Sequence, residues 1–432
     1  MTHRNDSRWF RARPRELNLL LLTLPALLAA ILAAAIDRLS AASPDPRDLL
    51  IPAGFLASAG LAHILLVTAG SRADATILPL WTMIGGIGIV FQWRLGSITV
   101  TDWKTPQLMI LLLSPLWLAV NALLFNGHMK RIASRIPWLW ILLAFAACVG
   151  VMAMGQSYRG GVYGPGKTTP TEIVKPLLIL GLSGLLIRHG SDLVSPKNSP
   201  KGTSRRAHII IIGAWLLPAV ILVMLHDLGM LAATGLLLIV LISVATARKR
   251  YLITGALLAG AGGWFFKEFV TKGRVRFAAW LHPFDFPDTS GFQTIRSLFA
   301  LFNGEFFGRG IGNGFPGTIP LAETDFTYAV IAEEMGWIGS VAILLLAWRI
   351  CRLGAFHGRG STDAFSALIA IGCSTVWGAQ ILLHAGGVIK LIPMTGVPLP
   401  GISSGGTSVI VFSMLAGWIM AVSEAGSENQ RS

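Results

Sequence analysis

Long apolar runs separated by short polar segments dominate this chain and restrict what it can fold into. Of its 432 residues, 53% are hydrophobic and only 13% are charged, whereas soluble domains carry roughly 25% charged residues. Such a chain cannot cover a water-facing surface, so the sequence predicts an integral membrane protein. The formal net charge of +14 suits this class because membrane proteins concentrate Lys and Arg in cytoplasmic loops. No nucleic-acid partner is expected.

The lengths of the apolar runs predict an all-α polytopic membrane protein with about twelve transmembrane helices. The first run follows an Arg-rich segment but is long enough to span the bilayer and lacks a clean cleavage site, so it is interpreted as a helix rather than a signal peptide. The predicted helices lie near 17–36, 50–70, 78–93, 107–125, 137–155, 173–187, 208–225, 228–246, 252–266, 327–349, 364–386 and 403–423.

Positive charges recur in alternate loops, which predicts that both termini are cytoplasmic. The tails would then be residues 1–16 and 424–432, and the long segment 267–326 would be an extracytoplasmic loop. The predicted inner segments contain Lys130, Arg131, Arg135, five Lys or Arg between 188 and 206, Arg248-Lys249-Arg250, Arg349, Arg352 and Arg359.

Two polar islands, Lys267 to Asp325 and Lys390 to Gly406, interrupt the apolar sequence on the predicted outer side. Irregular polar backbone is tolerated in a membrane protein only outside the bilayer or around a water-filled cavity, so chemistry is expected here. The first island mixes Arg, Asp and Glu, which suits a phosphate-bearing substrate and a general base. In the second, Ser403 to Thr407 open a helix whose N-terminal amides can hold an anion. The alternative is a solvated loop with a surface helix at 297–302, followed by a compact connection.

Several charged residues lie close to, or inside, the apolar runs. Glu172 and Lys175 are three residues apart and share a helical face; they are either a structural pair or part of a polar cavity. Asp227 is a candidate helix N-cap. Glu333 and Glu334 fall two turns into a predicted span, where acidic residues usually face a polar cavity. At least one of them should have a cationic partner or be protonated.

A set of motifs spread over residues 150–425 resembles the SEDS family (shape, elongation, division and sporulation), the RodA/FtsW-like proteins. The match is strong because several motifs occur in order in one polytopic chain. These motifs are Thr324-Asp325-Phe326 with Glu333-Glu334-x-Gly336, the block from Pro393-x-Thr-Gly396 through Leu399-Pro400 to Ile402-Ser-Ser-Gly-Gly-Thr407, the alternating glycines 308 to 314, and Gln380.

The resemblance implies a peptidoglycan glycosyltransferase of a bacterial cytoplasmic membrane that polymerises lipid II on the outer face, for elongation, division or sporulation. Its expected partners are a class B penicillin-binding protein (a transpeptidase) and other division or elongation proteins. The family core has ten helices and would occupy residues 131–423. The predicted total of twelve leaves two extra helices, which are expected among the N-terminal helices within 17–130.

The resemblance also implies a set of site residues. Alignment on Gly291-Phe292-Gln293 places Phe286 at the family's catalytic aspartate, so Asp285, one residue earlier, is the predicted general base and Asp288 the alternative. No metal-ligand spacing appears, and Cys148, Cys351 and Cys373 show no pairing pattern. A divalent cation, Mg²⁺ or Mn²⁺, stays open as a cofactor. The predicted substrate-binding residues are Glu172, Lys175, Asp227, Arg274, Arg276, Gln293, Asp325, Glu333, Lys390, Ser403 and Ser404.

Two other function classes fit parts of the same sequence. A transporter of lipid-linked oligosaccharides would also need many helices, an amphiphilic cavity and intramembrane charges. A catalytically inactive homologue that scaffolds a transpeptidase would explain Phe286 at the expected aspartate position. Polymerisation of labelled lipid II separates the three classes.

Overall fold

The computed structural model describes residues 13–40, 49–98, 106–125, 127–158, 161–163, 170–194 and 203–429. Parts of the predicted tails, residues 1–12 and 430–432, lie outside the described residues. Within the described ranges the chain forms a helical bundle with one short antiparallel hairpin, in which β1 pairs with β2.

The elements follow one another along the chain in this order. The helices are α1 (Pro14–Ser40), α2 (Leu50–Thr68), α3 (Ile77–Arg94), α4 (Pro106–Leu124), α5 (Gly127–Arg135), α6 (Pro137–Met154), α7 (Val174–Val194), α8 (Thr203–Met224), α9 (Leu228–Thr246), α10 (Arg250–Phe269), α11 (Thr271–Leu281), α12 (Phe292–Gly304), α13 (Thr327–Gly360), α14 (Ala364–Val388) and α15 (Gly406–Asn429). The strands β1 (Gln156–Tyr158) and β2 (Gly161–Tyr163) lie between α6 and α7.

Each of the twelve predicted apolar runs overlaps one helix, and six of them extend one to three residues beyond it; the last run, predicted from residue 403, becomes helical only at Gly406. Among the described residues, nine helices are long and apolar enough to cross a membrane, and α4 with α5 would make a tenth if this bent pair is one span. Helices α3 and α10 are not among them. The all-α polytopic class is therefore confirmed, while the number of twelve crossings and the domain boundaries stay predictions.

Large aromatic side chains fill the centre of the bundle where α3, α14 and α15 meet. Trp81, Trp377 and Phe412 are fully buried. Trp377 packs edge-on against both other rings, with centroid distances of 6.0 Å to Trp81 and 5.0 Å to Phe412. Burial of such rings dominates core energetics, so this cluster holds α3, α14 and α15 together.

A polar cluster ties the start of α1 to the ends of α13 and α15. Arg13 Nη1 donates to Ser71 O (3.0 Å), and Ser71 Oγ donates to a Glu424 oxygen (3.3 Å). Nearby, His357 Nε2 lies 2.9 Å from Asp74 Oδ2. Burial opposes ionisation of Asp74, but its hydrogen bonds, chiefly that from His357, outweigh burial and hold the pKa of this carboxyl below its usual range. The beginning of α1 and the end of α15 therefore lie at the same end of the bundle.

Candidate functional site

The two polar islands meet around a cavity of about 530 Å³. The first island supplies α11, the start of α12 and the segment before α13; the end of α14 and the second island supply the opposite wall. The lining residues are Val275, Arg276, Ala279, Trp280, Ser290, Gln293, Thr294, Pro320, Leu321, Asp325, Phe326, Gly387, Ile392, Met394 and Gly396. Because α13 starts at this cavity and ends at the Asp74 cluster, the cavity lies at the opposite end of the bundle from both described termini.

Three of the predicted site residues, Arg276, Gln293 and Asp325, line this cavity. Arg276 Nη1 is buried and has no hydrogen-bond partner within the described part of the chain. Asp325 reaches toward the second island, because a Cβ built on Gly396 would lie 3.6 Å from its Oδ2. The cavity thus presents a cation, an amide and a carboxylate, which is a suitable set for a phosphate-bearing, hydroxyl-rich ligand.

The predicted bases Asp285 and Asp288 lie on a short turn at the edge of the cavity. Both are exposed, and neither is among the residues that line it. The turn is compact, since Phe286 O accepts hydrogen bonds from the Gly291 amide (3.0 Å) and from a second amide in the turn. The residues that flank this turn, Trp280 and Ser290, both line the cavity. The two carboxylates are therefore at its rim rather than inside it.

Hydrogen bonds fasten the helices of the first island to the second island. Trp280 Nε1 donates to Lys390 O (3.0 Å), and Lys390 Nζ donates to Leu281 O (3.3 Å). On α12, Ser297 Oγ donates to Val388 O (2.9 Å). Lys390, a predicted substrate-binding residue, is thus engaged in holding the walls together and does not line the cavity. Arg274 also lies outside the lining, with Nε donating to a backbone carbonyl.

Glu172 and Lys175 form a buried pair behind the second island rather than in the cavity. Lys175 Nζ donates to Glu172 Oε2 (2.6 Å) and to Gln380 Oε1 (2.8 Å), and all three residues are buried. Gln380 Nε2 in turn donates to Pro398 O (2.9 Å). The predicted contact between Glu172 and Lys175 is therefore present. Through Gln380 this pair supports the Pro/Gly-rich backbone of the second island.

The remaining predicted residues of this region cap helices or brace loops. Asp227 is the N-cap of α9, as predicted, and its Oδ1 accepts from the Met230 amide (3.0 Å). Ser403 Oγ accepts from the Leu399 amide and contacts Thr327. The Ser404 amide donates to a carbonyl of the first island (2.7 Å). None of the three lines the cavity.

The glycine-rich segment of the first island is docked onto a kink in α13. Gly336 has φ 67°, which breaks the helix, so four backbone groups of α13 lose their helical partners. The segment replaces them: the amides of Arg309 and Gly310 donate to Glu333 O and Glu334 O (3.0 and 2.9 Å). In the other direction, two α13 amides donate to carbonyls of residues 305 and 306 (3.0 and 3.2 Å). The main role of the glycine-rich segment, which includes glycines 308 to 314, is therefore to pair with the backbone of α13 at its kink.

The side chains of Glu333 and Glu334 hold the same segment. Glu333 Oε2 accepts from the Phe315 amide (3.1 Å), and Glu334 Oε2 accepts from the Gly312 amide (3.0 Å). The expected cationic partner is Arg94 of α3, whose Nε lies 3.5 Å from Glu334 Oε1. Both carboxylates are buried, and neither faces the 530 Å³ cavity.

Replacing Gly304 with Ala should separate α12 from α13. A Cβ at Gly304 would lie 1.9 Å from Ala332 O, and a rigid backbone atom cannot move aside as a side chain can. We expect a loss of about 3 kcal/mol, the upper end of typical overpacking costs, seen as a fall in Tm of several degrees in detergent. Gly317→Ala is the matched control because that site has open space. Equal Tm values for the two variants would contradict the packing described.

A second cavity of about 350 Å³ lies farther along α12, toward its C-terminal end. It is lined by Arg296, Phe299, Ala300, Asn303, Phe315, Thr318 and Glu333. Glu333, a predicted substrate-binding residue, thus belongs to this cavity and not to the first.

No group of three His, Cys, Asp or Glu side chains within the described ranges is placed to hold a metal ion. The divalent cation that the sequence left open stays a prediction, since Mg²⁺ can also be held by one or two carboxylates together with substrate phosphates.

Sequence analysis did not predict Trp280, Ser290 or Thr294 as residues of the cavity wall. Trp280 lies four residues after Arg276, so the two share a face of α11. The spacing would have revealed this had residues 271–281 been predicted as a helix rather than a loop.

Comparison with known proteins identifies the family. Residues 74–428 match the family model for FtsW, RodA and SpoVE, described as cell cycle protein. The chain is 30% identical to the peptidoglycan glycosyltransferase RodA of Mycobacterium tuberculosis over 388 residues, covering 85% of this chain and 82% of the relative. It is 27% identical to stage V sporulation protein E of Bacillus subtilis over 348 residues, covering 79% and 85%.

Solved structures show the same fold. A chain of a peptidoglycan synthase complex superposes with a TM-score of 0.64 at 20% identity, covering 82% of this chain and 98% of that one. RodA of Thermus thermophilus superposes with a TM-score of 0.53 at 19% identity, covering 82% and 97%. The helical fold and the sequence match agree: this chain belongs to the FtsW/RodA/SpoVE family of multi-pass membrane proteins.

Proposed function

We propose that this protein is a peptidoglycan glycosyltransferase that polymerises lipid II on the outer face of the bacterial cytoplasmic membrane. Relatives that align over two thirds or more of the chain carry the names "Peptidoglycan glycosyltransferase RodA" and "Probable peptidoglycan glycosyltransferase FtsW". The observation that carries the proposal is the cavity between the two polar islands, which combines Arg276, Gln293 and Asp325 and has Asp285 and Asp288 at its rim.

The proposed reaction joins two lipid-linked saccharides. The hydroxyl oxygen of the acceptor sugar attacks the anomeric carbon of the donor, and the bond from that carbon to the pyrophosphate breaks. Asp285 takes the hydroxyl proton as general base, and the lipid pyrophosphate leaves with the bonding electrons. Arg276, which lines the cavity, would stabilise the negative charge that grows on the leaving group.

Polar residues outside the cavity support its walls. Glu172 and Lys175 support the second island through Gln380, and Asp227 caps the neighbouring helix. Because catalysis depends on groups held within a fraction of an ångström, these contacts would affect turnover without touching the substrate.

The proposed setting is that of a cell-wall polymerase. The N- and C-termini would be cytoplasmic, and a class B penicillin-binding protein would cross-link the strands, with other division or elongation proteins nearby. A structural neighbour comes from a complex that coordinates polymerization and crosslinking. The protein would thus serve cell shape, division or sporulation.

Two competing functions remain. An inactive scaffold is favoured by Phe286 at the expected aspartate position and by the absence of Asp285 and Asp288 from the cavity lining. A lipid-linked oligosaccharide transporter fits the intramembrane charges.

Purified full-length protein given labelled lipid II, alone and with candidate transpeptidases, tests the proposal. Glycan polymer supports it. An absence of polymer under both conditions favours the scaffold, unless the protein moves lipid II across vesicle membranes, which would favour the transporter.

A further inference from the structure

One face of α12 connects the two cavities. Gln293 lines the first cavity, and Arg296, Ala300 and Asn303 line the second. Counted from Gln293, the other three residues lie three, seven and ten positions later, so all four are on one side of the helix. Ten residues of α-helix rise about 15 Å. The two cavities are therefore consecutive positions along one helical face.

The second cavity combines aromatic rings with hydrogen-bonding groups. Phe299 and Phe315 are 51% and 56% exposed, and their rings offer flat apolar surfaces. Asn303 and Thr318 both donate and accept hydrogen bonds.

Glu333 adds a charged group that is only 2% exposed yet lines this cavity. Its Oε2 is held by the Phe315 amide at 3.1 Å. Burying a carboxylate is costly unless it is hydrogen-bonded, so this group is fixed in the wall rather than mobile in solvent.

We propose that the second cavity is a saccharide subsite that binds a linear glycan whose neighbouring sugars lie in the first cavity. This inference rests on the proposed glycosyltransferase function, and it adds a path for the glycan from the first cavity to the second. Pyranose rings present C–H faces that pack on aromatic rings, and their hydroxyls both donate and accept, which matches Phe299, Asn303 and Thr318. A lipid tail would instead offer no polar group to the Arg296 guanidinium or to the Asn303 side chain, at a cost.

Equilibrium binding of lipid-free, uncrosslinked glycan oligosaccharides of increasing length to the purified full-length protein in nanodiscs tests the subsite. The affinity should rise with length as sugars enter the second cavity. Asn303→Ala removes one hydrogen-bonding group and should weaken binding of the longest oligosaccharide about fivefold; Phe299→Ala should weaken it similarly. Phe302→Ala is the matched control, because Phe302 is on the same helix, 79% exposed and outside the cavity lining.

Three results would overturn the subsite: no length dependence in the wild type, wild-type affinity in both cavity variants, or equal weakening by Phe302→Ala. If the second cavity instead takes a lipid tail, the two cavity variants should change the binding of polyprenyl phosphate but not that of the oligosaccharides. That result also overturns the saccharide subsite. The measurement involves no turnover. Length-dependent binding without any lipid II polymerisation would keep the subsite and refute the proposed function.

Discussion

Purified protein carrying Asp285→Asn should polymerise labelled lipid II at least about 100-fold more slowly than the wild type, the usual range for losing a general base. Asp285 is exposed on a turn flanked by the cavity residues Trp280 and Ser290. Its carboxylate makes no hydrogen bond or ion pair with the described part of the chain, so the variant should keep the wild-type Tm. The rate loss would then report chemistry rather than unfolding.

Three further variants decide between the carboxylates of this region. Asp288→Asn tests the alternative base on the same turn, and Asp325→Asn tests the carboxylate inside the cavity. Glu268→Gln is the control, an exposed carboxylate in the first island outside the cavity lining. If Asp285→Asn and Asp288→Asn both polymerise at the wild-type rate while Asp325→Asn does not, the base is Asp325 and the assignment to the turn is wrong.

Replacing Lys175 with Met should destabilise the protein by about 3–5 kcal/mol, because it leaves a buried carboxylate without its counter-charge. Lys175 and Glu172 are both buried, and Gln380 loses a hydrogen bond as well. The measurement is the free energy of unfolding in detergent, with Tm as a second readout. Activity should fall too, since Gln380 holds Pro398 of the second island.

Two controls separate the ion pair from a general effect of removing Lys. The double variant Glu172→Gln, Lys175→Met removes both charges and should recover much of the lost stability, because isosteric neutral replacement of a buried pair is often tolerated. Lys267→Met breaks an exposed pair with Glu268, 45% and 44% exposed, and should cost at most a few tenths of a kcal/mol. A Lys175→Met variant as stable as Lys267→Met would contradict the buried pair.

The helices could be predicted from the sequence because an apolar run of about 20 residues has few alternatives to a helix in a membrane. Each of the twelve predicted runs overlaps one observed helix, with ends that differ by a few residues. The short helices α5, α11 and most of α12 could not be predicted this way. Their residues mix charges with apolar side chains, and their stability comes from contacts such as Ser297 to Val388.

The candidate site was predictable by region but not by residue. The two polar islands do enclose one cavity, and Arg276, Gln293 and Asp325 line it. Lys390, also predicted as a substrate cation, does not line the cavity, and its Nζ donates to the backbone of α11. Sequence shows which residues carry charge, whereas the partner of each charge depends on how distant segments pack.

The kink in α13 illustrates the same limit. The sequence contains Glu333-Glu334 within an apolar run, which predicted a polar surrounding. The surrounding is the backbone of the glycine-rich segment, held there because Gly336 breaks the helix and exposes carbonyl groups. That pairing joins residues more than 20 positions apart, and no local pattern specifies it.

The central claim is that the cavity between the two islands opens on the extracytoplasmic side and is where polymerisation occurs. The three native cysteines are buried, so a Ser290→Cys variant offers one accessible thiol in the cavity wall. We predict that a membrane-impermeant thiol reagent added outside intact cells labels this variant, and that labelling stops lipid II polymerisation by the protein purified from them. Labelling only from the cytoplasmic side, or full polymerisation by labelled protein, would contradict the account.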